Sequence, residues 1–115
     1  LSKRRATLFD RGRSRWSAPI GIGRAGTPTP RGRFYVRERL ALGRSGGPYG
    51  AFAFGTSAYS PTLSDWPGGG VIGIHGTDQP ELIPGRVSHG CVRLRNRDVL
   101  RLRKLMGVGT PLWVK

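Results

Sequence analysis

A mostly β fold in one domain, with a single helix in the C-terminal region, is what this 115-residue sequence predicts. Three observations lead there. The chain carries 19 Gly and 9 Pro, far more than a helical bundle tolerates. Short apolar runs of strand length recur between turn residues along most of the chain. Only one stretch, from Asn96 to Met106, spaces its apolar residues as a helix does. The length suits one hydrophobic core and not two, so residues 1–115 are read as one domain, with 1–5 a basic N-terminal tail.

Ala6-Thr7-Leu8-Phe9 is a first strand, and Asp10-Arg11-Gly12-Arg13 supplies a turn before a second extended stretch, Trp16 to Ile22. Together they predict an opening hairpin. Gly26-Thr27-Pro28-Thr29-Pro30-Arg31-Gly32 is too broken for regular structure and reads as an exposed loop, after which Phe34-Tyr35-Val36 resumes a strand. Leu42 to Gly50 is a loop, Ala51 to Phe54 a short apolar strand, and Gly55 to Gly70 a longer irregular segment containing Tyr59 and Trp66. Val71 to Ile74 is the central-strand candidate. Because side chains alternate along a strand, Ile72 and Ile74 are expected to enter the core together while His75 leaves on the other face. In the helix, Asn96 is the expected N-cap, Asp98 suits the first turn, Arg103 and Lys104 the last, and Gly107 ends it. Val99, Leu102, Leu105 and Met106 form its packing face, and Pro111 to Val114 is a closing strand.

Charge is lopsided: 20 Lys+Arg against 6 Asp+Glu, a formal net charge of +14. Such a surface attracts polyanions, whether nucleic acid, anionic lipid or cell-wall polymer, and charge alone does not choose among them. With a single cysteine no internal disulfide forms, so packing alone must hold the fold. There is no run of 18 or more apolar residues, hence no membrane span in this chain. No signal peptide is present, and a start at Leu1 rather than Met is expected of an excised domain or mature fragment.

The chemistry concentrates in one window. Cys91 sits in Ser88-His89-Gly90-Cys91-Val92-Arg93-Leu94, sixteen residues after His75 in Ile72-Gly73-Ile74-His75-Gly76-Thr77, so the only thiol and the only two imidazoles lie close in sequence. A thiol with a reference pKa of about 8.5 is only about 3% thiolate at pH 7, so full ionisation by an imidazole gains at most about 30-fold. Losing one oxyanion-hole donor costs about 10²–10³-fold, so backbone placement around the nucleophile matters at least as much. Gly90 beside Cys91 allows the tight turn this requires. Either histidine can serve as the base: His89 shares a face with Cys91 if the segment is extended, and His75 must be delivered by folding. No carboxylate is placed to orient the base. Asp78, three residues past His75, reads as a solvated loop charge, and a backbone carbonyl can do that work instead.

His75-Gly76-Thr77 followed by Ser88-His89-Gly90-Cys91-Val92-Arg93-Leu94 resembles the signature of the L,D-transpeptidase (YkuD-type) catalytic domain of bacterial cell-wall enzymes. A second match, Gly26-Thr27-Pro28-Thr29-Pro30-Arg31-Gly32-Arg33-Phe34, resembles that family's Thr-Pro-x-Gly-x-Phe segment, and Tyr49-Gly50 adds a third. The resemblance implies a small β-sandwich or barrel in which Cys91 attacks the carbonyl of the third residue of a peptidoglycan tetrapeptide stem. D-Ala leaves, and the thioester passes to another stem, giving a 3→3 cross-link, or to water as in an L,D-carboxypeptidase. It implies His75 as base, oriented by the Gly76 carbonyl; His89 and Gly90 shaping the oxyanion hole with Cys91; and Ser88 holding the turn. The stricter motif has Asn two residues after the cysteine where this chain has Arg93, a variant also common in the family and a candidate bidentate ligand for a substrate carboxylate.

The same resemblance implies no cofactor, no metal, peptidoglycan stem peptides and anionic wall polymer as partners, no nucleic acid, a monomer, and an extracytoplasmic location in periplasm or cell wall. Two rival readings stand beside it. His75, His89 and Cys91 are three potential zinc ligands, although closely spaced Cys pairs and a fourth ligand are absent from the sequence. The basic surface also suits a nucleic-acid module, although its cations are dispersed and no binding motif is present.

Overall fold

The computed structural model describes residues 4–26, 28–41, 50–59, 71–88 and 90–115, without the side chains of Tyr59 and Val87. The predicted loop at 42–49 and most of the segment between Gly55 and Gly70 lie outside the described residues. Among the described residues, nine strands and one α-helix follow in the order β1 (Arg5–Asp10), β2 (Arg13–Pro19), β3 (Gly21–Gly23), β4 (Gly32–Ala41), β5 (Phe52–Tyr59), β6 (Val71–His75), β7 (Gly85–Ser88), β8 (Val92–Arg93), α1 (Asn96–Arg103) and β9 (Pro111–Val114).

β1 and β2 form the opening hairpin, its turn made by Arg11 and Gly12, both at positive φ (53° and 81°). Two successive positive φ values give a turn whose twist matches that of the flanking strands. Where the sequence suggested one extended run to Ile22, the chain breaks at Ile20 and changes sheets. Pro19, lacking an N–H, ends β2, and Ile20 donates to the Arg4 carbonyl at 2.9 Å before β3 begins.

β3 to β9 form a single seven-stranded sheet in the order β7-β3-β8-β6-β5-β4-β9, curled into a half-barrel. β6 and β8 run parallel, with Ile74 opposite Val92 and His75 opposite Arg93. β4 and β5 are longer than the sequence suggested: in β4 only Val36 is buried, so a polar outer face hides the alternation, while in β5 Phe52 to Thr56 are buried continuously and show no alternation to read. The predicted irregular segment therefore begins as strand.

A large core gathers Trp16, Ile22, Val36, Phe54, Ile74, Leu94, Val99 and Leu102 from the hairpin, sheet and helix. Ile72 does not join it. It packs instead with Ala58 and Cys91, backed by Phe34, in a separate small cluster. The expectation that Ile72 and Ile74 share one core fails because β5 shifts register between Gly55 and Tyr59, which breaks the regular pleat beside Ile72. Thr56, buried in that bulge, donates its hydroxyl to the Ile72 carbonyl at 2.6 Å.

The helix packs against β5 and is shorter than predicted, ending at Arg103 with Lys104 as C-cap. Val99, Leu102 and Met106 are buried, but Leu105 is 41% exposed. Arg39 of β4 donates to the Arg103 carbonyl at 2.6 Å while its guanidinium lies over the Phe52 ring, placing a cation at the negative end of the helix. At the sheet edge, Trp113 of β9 is 60% exposed and held between the Arg33 guanidinium and the Lys115 ammonium, 4.8 and 4.3 Å from its ring centroid.

The two leucines of the helix end give a direct check. Leu102→Ala is expected to destabilise by about 2–5 kcal/mol and Leu105→Ala by less than about 0.5 kcal/mol, read from urea midpoints at unchanged slope.

Candidate active site

Cys91 lies between β7 and β8, 1% exposed, immediately before the rung that pairs Val92 with Ile74. Three ties hold the turn that presents it. The buried Ser88 hydroxyl donates to the Cys91 carbonyl at 2.6 Å and accepts the Gly90 N–H at 3.2 Å. Gly90 adopts φ 128°, a backbone state that residues with a Cβ rarely reach. Thr29 donates to the Gly90 carbonyl at 2.7 Å while accepting the Gly23 N–H at 2.9 Å.

Thr29 corrects one sequence expectation. Apart from Thr27, which lies outside the described residues, the Thr-Pro loop runs without regular structure up to Arg31, but Thr29 within it is 4% exposed and bridges β3 to the cysteine turn. Its place between Pro28 and Pro30, where the backbone is stiff, is the signal of this role in the sequence.

The sulfur accepts a hydrogen bond from the Gly73 N–H of β6 at 3.3 Å. A backbone donor aimed at sulfur favours the thiolate over the thiol, since the anion is the better acceptor. His75 follows two residues along the same strand, which at about 3.3 Å per residue is a displacement of about 7 Å. Parallel pairing of β6 with β8 therefore brings the thiol alongside the strand that ends in the imidazole, despite the sixteen residues between them.

His75 is 3% exposed, and its Nδ1 is 2.5 Å from the Gly76 carbonyl oxygen. A carbonyl oxygen only accepts, so in the neutral ring Nδ1 carries the hydrogen and Nε2 holds the lone pair. Asp78 lies exposed in the bend that follows. The peptide at Gly76 is held in turn: its N–H donates to the Phe52 carbonyl at 3.1 Å, and the His75 carbonyl accepts the Leu94 N–H at 2.8 Å.

Arg93 is half-buried at the register position facing His75, and among the described residues its buried Nε has no hydrogen-bond partner. An unpaired guanidinium donor of this kind is costly unless a ligand meets it. His89 lies outside the described residues, as do Tyr49 and Trp66.

Asn96 is where sequence reasoning misjudged a role. Arg95 is the N-cap, no side chain caps the helix, and the Asn96 Oδ1 accepts the Ala51 N–H at 3.1 Å instead. That oxygen also packs against Gly50 and Gly76, at places a Cβ on either glycine would need. The cap expectation misses by one position: the helix begins with Arg95 as N-cap, which makes Asn96 its first residue.

The family model for the L,D-transpeptidase catalytic domain matches residues 1–114. The putative L,D-transpeptidase YkuD of Bacillus licheniformis is 37% identical over 110 residues, covering 96% of this chain and 59% of that protein. Among solved structures, the catalytic domain of the Enterococcus faecium L,D-transpeptidase superposes with a TM-score of 0.68 at 26% identity, covering 98% of this chain and 90% of that one. The Ldtfm–avibactam carbamoyl enzyme superposes with a TM-score of 0.71 at 26% identity, covering 98% of this chain and 45% of that one. The chain spans little more than half the length of the YkuD relative, and that span contains both the histidine strand and the cysteine turn. A model match over nearly every residue, together with this relative and these folds, places the chain in the YkuD-type L,D-transpeptidase catalytic domain family.

Proposed function

We propose that residues 1–115 form a single cysteine acyltransferase domain that acts as an L,D-transpeptidase on peptidoglycan tetrapeptide stems. The observation that carries this reading is the pairing of one buried thiol, on a glycine turn, with a strand whose terminal imidazole is locked in a single tautomer by a backbone carbonyl. His75 Nε2 takes the proton of the Cys91 thiol, and the sulfur attacks the carbonyl carbon of the third stem residue, a diamino acid. The tetrahedral oxyanion collapses to a thioester as D-Ala departs with the proton from His75. The side-chain amine of a second stem then attacks the thioester, losing a proton to His75, and a 3→3 cross-link forms as the thiol is regenerated. Water in place of the amine gives the L,D-carboxypeptidase outcome through the same thioester.

Around this exchange the remaining residues divide the work. Gly76 supplies the carbonyl that keeps Nδ1 protonated. Ser88 ties the turn at both ends, and Gly90 serves the oxyanion hole through the bend it permits, its own N–H being directed at Ser88. His89 takes the helper position beside the hole on the strength of the family motif. Arg93, with a buried donor to offer, grips a substrate carboxylate. The +14 charge favours anionic wall polymer, and the site of action is extracytoplasmic, in periplasm or cell wall. No described helix is long and apolar enough to cross a membrane.

Cys91→Ala is expected to lower D-Ala release from purified tetrapeptide stems by at least about 10³-fold, and His75→Ala by about 10²–10⁴-fold, with circular dichroism unchanged. Turnover retained by Cys91→Ala refutes the mechanism. Incubation with paired stems is expected to yield dimers alongside free D-Ala; tripeptides alone identify the domain as a carboxypeptidase.

Covalent capture gives a separate check, supported by the avibactam carbamoyl adduct of the Ldtfm structure. Intact-mass spectrometry after incubation with a carbapenem is expected to show one added inhibitor mass on Cys91. Its absence, or its persistence in Cys91→Ala, counts against the nucleophile.

A further inference from the structure

We propose that Asn96 is a positioning residue that acts on His75 through the Gly76 peptide. The inference rests on the reading of His75 as the base. Three backbone segments converge behind that histidine: Gly50-Ala51 leading into β5, His75-Gly76 leaving β6, and the first turn of α1. Gly50 is at φ 69°, and a Cβ placed on it would overlap the Cα and carbonyl carbon of Gly76, so the two glycine backbones lie directly against each other. Against both glycines stands the Asn96 Oδ1, fixed by the Ala51 N–H at 3.1 Å.

Asn96 thus braces the peptide whose oxygen sets the tautomer of His75. The Gly76 N–H and the His75 carbonyl are pinned to Phe52 and Leu94, but these bonds hold the strand side of the dipeptide. On the opposite side Gly76 has no side chain of its own to resist rotation. With Oδ1 packed on its Cα, the Gly76 carbonyl keeps facing Nδ1; with Oδ1 removed, space opens for the peptide to turn and for the ring to exchange its proton between Nδ1 and Nε2. A purely structural role would instead stop at the start of β5, anchoring Ala51 with no effect on the imidazole.

The experiment follows the alkylation rate of Cys91 by iodoacetamide across pH, together with the imidazole ¹⁵N–¹H spectrum of histidine-labelled protein. In folded Asn96→Ala, alkylation at pH 7 is expected to fall about tenfold, as is common when a partner one step behind a reactive group is lost. The midpoint of its pH profile is expected to move, and the His75 Nδ1–H signal to broaden or give way to an Nε2–H signal. Asn96→Asp, which keeps an acceptor for Ala51, is expected to restore the signal. Should Asn96→Ala not fold, Asn96→Ser, polar but too short to reach the glycines, is read in the same two ways. A profile and Nδ1–H signal like those of the parent protein in whichever variant folds, beside a collapsed profile in His75→Ala, overturn the positioning role alone. An unaltered profile in His75→Ala overturns the base assignment on which it rests.

Discussion

Parallel pairing of β6 with β8 is the constraint on which the rest of the molecule turns. A thiol and an imidazole sixteen residues apart in sequence come onto neighbouring strands because Ile74 and His75 lie beside Val92 and Arg93. Parallel neighbours cannot be joined by a tight hairpin, so the chain must leave β6, pass through the short 3₁₀ turn at Pro80–Leu82 and form β7 before it returns. β3 makes that detour possible by pairing with β7 on one side and β8 on the other. The three-residue strand that looked in sequence like the tail of a hairpin is therefore a structural wedge beside the Cys91 turn.

Much of this was legible from the residues. The hairpin, the helix, the closing strand and the window holding Cys91 and His75 all announced themselves through local patterns: a glycine turn, helical spacing, a lone thiol among glycines. What escaped was set by contacts between segments distant in sequence. The split at Ile20 follows from a change of sheet, and the separation of Ile72 from Ile74 from a bulge in the neighbouring strand. Asn96 is the first residue of the helix, with its partner at Ala51 forty-five positions away, and Thr29 was hidden because a buried hydroxyl in a loop looks like any other loop hydroxyl until its partner at Gly90 is known.

The site is built from backbone as much as from side chains. The sulfur takes its hydrogen bond from a main-chain N–H, the imidazole its acceptor from a main-chain carbonyl, and the turn between them is laced by two hydroxyls onto main-chain groups. Backbone dipoles carry no titratable charge and cannot be protonated away, so a thiol and ring arranged in this manner need no buried carboxylate. The arrangement depends instead on glycine, because close approach of peptide to peptide leaves no room for a Cβ at Gly50 or Gly76. Shape, in this site, substitutes for charge.

The indole at the open rim of the sheet has a further consequence. β9 is a terminal strand with one flank unpaired, the kind of border along which β proteins zip into aggregates. Here that border opens with Pro111, and its largest apolar group is sandwiched between two cations. Two copies approaching rim to rim would therefore meet as like charges before any backbone bond could form, and that repulsion opposes edge-to-edge aggregation of a small, glycine-rich fold.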